Sequence, residues 1–320
     1  MYSSSQSLRG GGVDWQKDGL VLTAEQKLFY EKNGYLLVRN FVSQHAVDML
    51  NRRFKKMCES ERSMHPEMMI LQDHNTSKFH QCEHTITKLQ DFQNDPVLFN
   101  YCKNSSIMGA VQDLVGTPTS NLVALLTMFL NKPPDTGSLS TRHPLHQDLI
   151  YFPIRPADSI TCAWTALQKS DRSNGCLTVI PGSHKGELLY HELPEWEADI
   201  SKANWGLQNC DPSVPRTYIE MEAGDTVFFH PLLINGSGAN RTGNCCKSIT
   251  CHYANGDRCH YVDVMGTPQE ELARQIVKLH NERLVKRMGM NREAVNSQHT
   301  TYADVWKHRA RAVNGNRANL

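Results

Sequence analysis

The chain has 320 residues and a hydrophobic fraction of 39%, enough for one large buried core or two ordinary ones. Its 34 Lys and Arg nearly cancel 33 Asp and Glu, and no block of like charge is long enough for an arm that binds nucleic acid or an anionic membrane. The opening MYSSSQSLRGGGVDW has no apolar h-region and no stretch nears the ~20 apolar residues of a membrane span, so a soluble, non-secreted protein with free thiols in a reducing compartment is expected.

In chain order, residues 1–20 read as a flexible tail, 21–313 as a single domain and 314–320 as a C-terminal tail. Thr23 with Gln26 predicts a capping box, Gly34 ends the helix it starts, and YLLV is a short apolar strand. Ser43 caps a second helix whose Val47, Leu50, Phe54 and Met57 repeat at helical spacing and form a core face. Residues 61–90 are irregular and polar, a lid over 61–85 or a surface loop. PVLFNYCKNSSIMGAVQDLVG is a further helical segment.

From about 120 to 262, short β-runs alternate with Pro, Gly, Asn and Asp: NLVALLTMFLNK, LHQDLIYFP, ITCAWTAL, CLTVIPGSH, TYIEMEAGDTVFFHP and KSITCHYA. That spacing predicts a mainly β jelly roll with flanking helices. Thr267-Pro268-x-Glu270 predicts another capping box, starting a helix that stops near Gly289. Cys245, Cys246, Cys251 and Cys259 cluster without the C-x-x-C spacing of structural zinc.

Within LHQDLIYFP, side-chain alternation on a strand puts His146 and Asp148 on one face and turns Gln147 away. An imidazole and a carboxylate at that spacing are two of the three ligands of a two-histidine, one-carboxylate iron site with open positions opposite.

The stretches HPLHQDLIYFPIRPADSITCAWTAL, NGCLTVIPGSHKG, EAGDTVFFHPLLINGSGANRT and CHYANGD together resemble the phytanoyl-CoA dioxygenase family, from EKNGYLLVRNF to the C-terminal tail. The resemblance implies a double-stranded β-helix, a jelly-roll barrel. It implies Fe(II), O₂ and 2-oxoglutarate, with ascorbate as an optional auxiliary. The implied reaction is hydroxylation of the carbon beside the thioester of a branched fatty acyl-CoA. It puts iron on His146 and Asp148, and 2-oxoglutarate contacts on Lys88, Met128, Gln147 and Trp164. Read without it, Met128 and Trp164 are core residues and Lys88 a solvated one.

Two positions depart from the family pattern. Asn235 in NGSG stands where the family supplies its third iron ligand, and Cys246 stands where an arginine pairs with the far carboxylate of 2-oxoglutarate. A neutral amide is a weaker donor than imidazole, and a thiol offers no bidentate cationic fork. Lys247 is adjacent to Cys246 but faces the other way on a strand. His230 and His252 lie near the departures, yet the family carries histidine there too, so neither is an evident replacement. The implied oxygenase therefore competes with a catalytically impaired homologue that binds acyl-CoA or another partner, and with a generic jelly-roll binding module. The final Ala318-Asn319-Leu320 is similar to a peroxisomal import tripeptide, which implies an import receptor as partner and the peroxisome as location, with the cytosol otherwise.

Overall fold

The computed structural model describes residues 16–60, 63–72, 83–135, 137, 141–194, 204–208, 210–211, 213–291, 293, 295, 299–316 and 319–320. Strands in these regions, numbered in chain order, pair antiparallel throughout and form the two sheets of a jelly roll. The larger sheet runs β1 (Tyr35–Val38), β12 (Thr226–Phe229), β7 (Ile160–Ala166), β14 (Cys246–Asn255), β4 (Leu122–Lys132), β3 (Ile86–Gln90) and β2 (Met69–Gln72), and β16 (Arg311–Ala312) also pairs with β4. The smaller runs β11 (Thr217–Ile219), β8 (Leu177–Val179), β13 (Ile234–Ser237) and β5 (His143–Gln147). Two ribbons, β6 (Ile154–Arg155) with β15 (His260–Tyr261) and β9 (His191–Glu192) with β10 (Gly206–Leu207), complete the strands.

Helices cover the outer face of the larger sheet. The first, α1 (Ala24–Asn33), forms both bonds of the Thr23–Gln26 capping box and ends on Gly34 in the left-handed region. The second, α2 (Gln44–Glu59), is capped by Ser43 and buries Val47, Leu50, Phe54 and Met57 as the spacing predicts. Asn104 divides the next helical segment into α3 (Pro96–Cys102) and α4 (Ser105–Val115), because its side chain accepts from the Ser106 and Ile107 N–H groups and caps a new helix. Phe54 stacks on Phe129 of β4 with centroids 4.3 Å apart, joining helix layer to sheet.

Four expectations need correction. The strand through LHQDLIYFP stops at Gln147, and Asp148 opens a 3₁₀ turn, Asp148–Tyr151. The Thr267–Glu270 capping box does not form. Thr267 Oγ1 donates to Val264 O, Glu270 accepts from Gly266 N, and α5 (Glu270–Met288) starts after an uncapped Gln269 before ending on left-handed Gly289. Residues 61–90 are not irregular throughout, since β2 and β3 extend the larger sheet; 61–62 and 73–82, including much of the expected lid, lie outside the described residues. The C-terminus is docked: after α6 (Tyr302–Arg309), Asn319 N donates to Gly256 O, and Leu320 is buried in the cluster that holds Trp306. No helix among the described residues is long and apolar enough to cross a membrane.

Strand alternation sorts the larger sheet into two faces. On β14, Ile249, Cys251 and Tyr253 join the core shared with the helices, while Cys246, Ser248, Thr250 and His252 line a cavity between the sheets. On β4, Phe129 faces the helices, and Leu126, Met128, Leu130 and Lys132 face the cavity. Polar side chains buried in an inward row cost free energy unless partnered, which marks this interior as a site rather than a second core.

Candidate active site

Asp148 is the centre of the cavity's chemistry. The 3₁₀ turn, tied down by Leu149 N donating to Pro231 O, buries the carboxylate among three polar side chains. His146 Nε2 lies 3.1 Å from Oδ1, Asn235 Nδ2 donates to the same oxygen at 3.0 Å, and His252 Nε2 lies 2.6 Å from Oδ2. Burial alone would raise the Asp148 pKa, but the hydrogen bonds from His146 and His252 hold it well below the usual carboxylate range. The group is an anion at neutral pH, as a metal ligand must be.

His146 is aimed by the backbone. Its Nδ1 lies 2.8 Å from Pro144 O, which fixes the ring with Nε2 on the cavity side, toward Asp148. β13 pairs with β5 so that Asn235 sits directly opposite His146, and the residue at the family's third-ligand position does reach the site. It arrives as an amide: Nδ2 also donates to Leu233 O, leaving Oδ1 as a neutral donor.

A second donor set shares the carboxylate: Asp148, Cys162 and His252 have ligand atoms within 4.8 Å of one another. Its buried thiol makes it the weaker metal centre. Burial pushes the Cys162 thiol up, away from thiolate. At His252, burial is outweighed and the pKa is raised, with the ionised Asp148 carboxylate 2.6 Å from Nε2 as its charged neighbour. His252 already bonds the carboxylate oxygen turned away from His146 and braces it from behind, which leaves His146 and Asp148 as the pair a metal would fit. A divalent metal fits His146 and Asp148, with Asn235 beside them as a weak third donor.

The cavity lining also contains Lys88, Met128, Trp164 and Cys246. Gln147 does not join them. Its Nε2 donates to Glu187 O and Leu232 O, and its Oε1 accepts from Leu189 N, so the buried amide braces loops outside the cavity. Lys247 turns to the opposite face and pairs with Glu83, as alternation predicts. His230 lies 3.1 Å from Asp158, away from the metal residues. Each described cysteine is a free thiol.

Three lining residues were not legible as site residues: Lys132, Ser237 and His143. Lys132 is four residues beyond Met128 on β4, so two-residue periodicity puts both on the inward face. Its ammonium donates to Ser237 Oγ at 2.6 Å, Gly238 O at 2.7 Å and Gly175 O at 2.9 Å, and burial lowers its pKa to about 8. Gly175 makes this possible. It sits at φ +79°, and a Cβ there would meet Gly238 O at 2.2 Å.

Comparison with known proteins agrees with this geometry. The model of the phytanoyl-CoA dioxygenase family matches residues 30–247. The chain is 53% identical to a probable phytanoyl-CoA dioxygenase of Caenorhabditis elegans over 97% of this chain and 99% of that one. It is 42% identical to the peroxisomal phytanoyl-CoA dioxygenase of Homo sapiens over 99% and 90%. Among solved structures, EctD from S. alaskensis with bound Fe aligns with a TM-score of 0.61 at 15% identity over 78% of this chain and 82% of that one. The epimerase SnoN in complex with Fe3+, alpha ketoglutarate and nogalamycin RO gives 0.58 at 19% over 75% and 86%. These structural likenesses speak to the fold.

Proposed function

The chain belongs to the phytanoyl-CoA dioxygenase family, and from that premise we propose that it is an Fe(II)- and 2-oxoglutarate-dependent oxygenase that hydroxylates the carbon beside the thioester of a branched fatty acyl-CoA. One observation carries this reading: His146 and an ionised Asp148 converge on a cavity also lined by Lys88, Met128 and Trp164. Iron and 2-oxoglutarate, when bound, supply the oxidising chemistry, one oxygen atom of O₂ going to substrate and the other to succinate with loss of CO₂.

The chain's own residues orient and insulate that chemistry. Pro144 O fixes the His146 ring, and His252 holds the Asp148 oxygen that faces away from His146. Met128, Leu130, Leu126 and Trp164 give the cavity apolar walls that exclude water. On the α5 side, Leu272, Ile276 and Leu279 offer an apolar track for an acyl chain. Arg283 and Arg309, each 3.4 Å from the buried Asp91, add cations suited to phosphate.

The test is anaerobic titration with Fe(II) and then 2-oxoglutarate, followed by O₂ and a branched acyl-CoA. A visible charge-transfer band and a 2-hydroxyacyl product matched to succinate are expected. Binding of acyl-CoA with neither band nor succinate would favour the impaired homologue, with Asn235 and Cys246 as its cause.

The relatives named peroxisomal support a peroxisomal location, with Ala318-Asn319-Leu320 as the address. Leu320 is 7% exposed and Asn319 is hydrogen-bonded, so the tail has to undock before an import receptor reads it. Deleting Leu320 should move the protein to the cytosol, and persistent import would exclude this tail as the signal.

A further inference from the structure

Cys246 is paired in register with Lys132 across β14 and β4, and both side chains line the cavity. Three neutral oxygens hold the Lys132 ammonium in place, and no carboxylate among the described residues pairs with it. A cation kept in a partly desolvated cavity without a counter-ion favours an anionic ligand. Two of its acceptors are backbone carbonyls fixed by the close approach of Gly175 to Gly238. The third, the Ser237 hydroxyl, can rotate: it can release the ammonium and give its own proton to the same anion.

Position argues for a carboxylate that belongs to a ligand of the metal residues. On the β13–β5 ladder, Asn235 faces His146, and Ser237, the residue bonded to Lys132, faces His143. Two residues along a strand cover roughly 6.5 Å. A five-carbon diacid that chelated a metal held by His146 and Asp148 would span that separation.

Resting on the oxygenase reading, we infer that Lys132 binds the far carboxylate of 2-oxoglutarate in this chain, from the strand opposite the position that Cys246 occupies. Lys132 gives a point charge in place of a bidentate fork, and Ser237 adds the second hydrogen bond.

The experiment is anaerobic binding of 2-oxoglutarate to the Fe(II)-loaded full chain, read by the charge-transfer band, for the unmodified protein, Lys132→Met and Lys132→Met/Cys246→Arg. Lys132→Met should weaken 2-oxoglutarate roughly 10- to 100-fold, the range for a charged hydrogen bond, while Fe(II) affinity measured without co-substrate stays unchanged. Adding Cys246→Arg should recover most of the loss, because it returns a cation directly across the strand pair. Should Lys132→Met fail to fold, Lys132→Gln keeps donors for the two glycine carbonyls and should show the same weakening. Equal 2-oxoglutarate affinity in the unmodified protein and a folded Lys132 variant would overturn the assignment while leaving the oxygenase reading intact. No band in the unmodified protein would instead overturn the oxygenase reading and this assignment with it.

Discussion

The two sheets face one cavity and divide its work unequally. The larger sheet has the long strands, eleven residues in β4 and ten in β14, paired with each other nearly end to end and packed against α2 to α4. The smaller has strands of three to five residues with a register shift between Asn235 and Ser237, yet it carries His146 and Asn235, and Asp148 follows directly from its edge strand. The packed face and the proposed metal ligands thus sit on different elements. This lets residues change in the inward rows without disturbing the packed face. Asn235 and Cys246 are 4% and 6% exposed, fully accommodated by the fold while altering what the site can bind.

The largest effect should fall on the larger sheet. Phe129→Ala removes a fully buried ring stacked on Phe54 and should cost about 3–5 kcal/mol, read as a lower urea midpoint at unchanged slope. A loss under about 1 kcal/mol would break the division of labour.

His146→Ala should do the reverse. Fe(II) affinity should fall by at least roughly 100-fold, because Asp148 is left as the one strong ligand, while the melting temperature moves by a few degrees at most. Unchanged iron affinity by calorimetry would remove the metal site from the smaller sheet.

Asn235→His sharpens the comparison, since it tests whether the inward row still accepts a ligand. With His146 directly opposite, the new imidazole should raise Fe(II) affinity by about 10-fold or more. No gain, in a variant folded by circular dichroism, would mean that the bulged strand no longer aims position 235 at the metal.

The smallest effect is one of pH. Lys132 has its pKa lowered to about 8, so it loses its proton within the working range, and 2-oxoglutarate binds the protonated form. Affinity should be flat below pH 7 and fall by up to about tenfold per pH unit above 8. The titratable groups nearest Lys132 do not mimic this. His143 is held neutral by burial and by Lys88 and Lys132, Cys176 is pushed up to about 11, and burial raises Cys246 also. Lys132→Met should flatten the profile, and a profile that survives the substitution assigns the pH dependence to another group.

Local rules read well from the sequence where the partner lies within a turn or two. The Thr23 capping box, the Ser43 cap, the Gly34 and Gly289 stops and the buried stripe of α2 all depend on residues within five positions of one another. The Thr267 box failed because the same side chains found other local partners, Val264 O and Gly266 N. The strands β2 and β3 were illegible because nothing local declares them; they exist by pairing with each other and with β4.

The site divides in the same way. The H-x-D pair was readable, although Asp148 reaches His146 from a 3₁₀ turn rather than by strand alternation, whereas Met128 and Trp164 were named by the family resemblance alone. The fate of Gln147 was not readable, because distant carbonyls at Glu187 and Leu232 claimed its amide. The sequence by itself determined that a jelly roll would carry an imidazole and a carboxylate together, and that Asn235 and Cys246 were changed. Only the tertiary structure decided that His252 stands behind Asp148 and that Lys132 faces Cys246. Such neighbours come from strand order and register, which are set by long-range pairing and packing rather than by any periodicity along the chain.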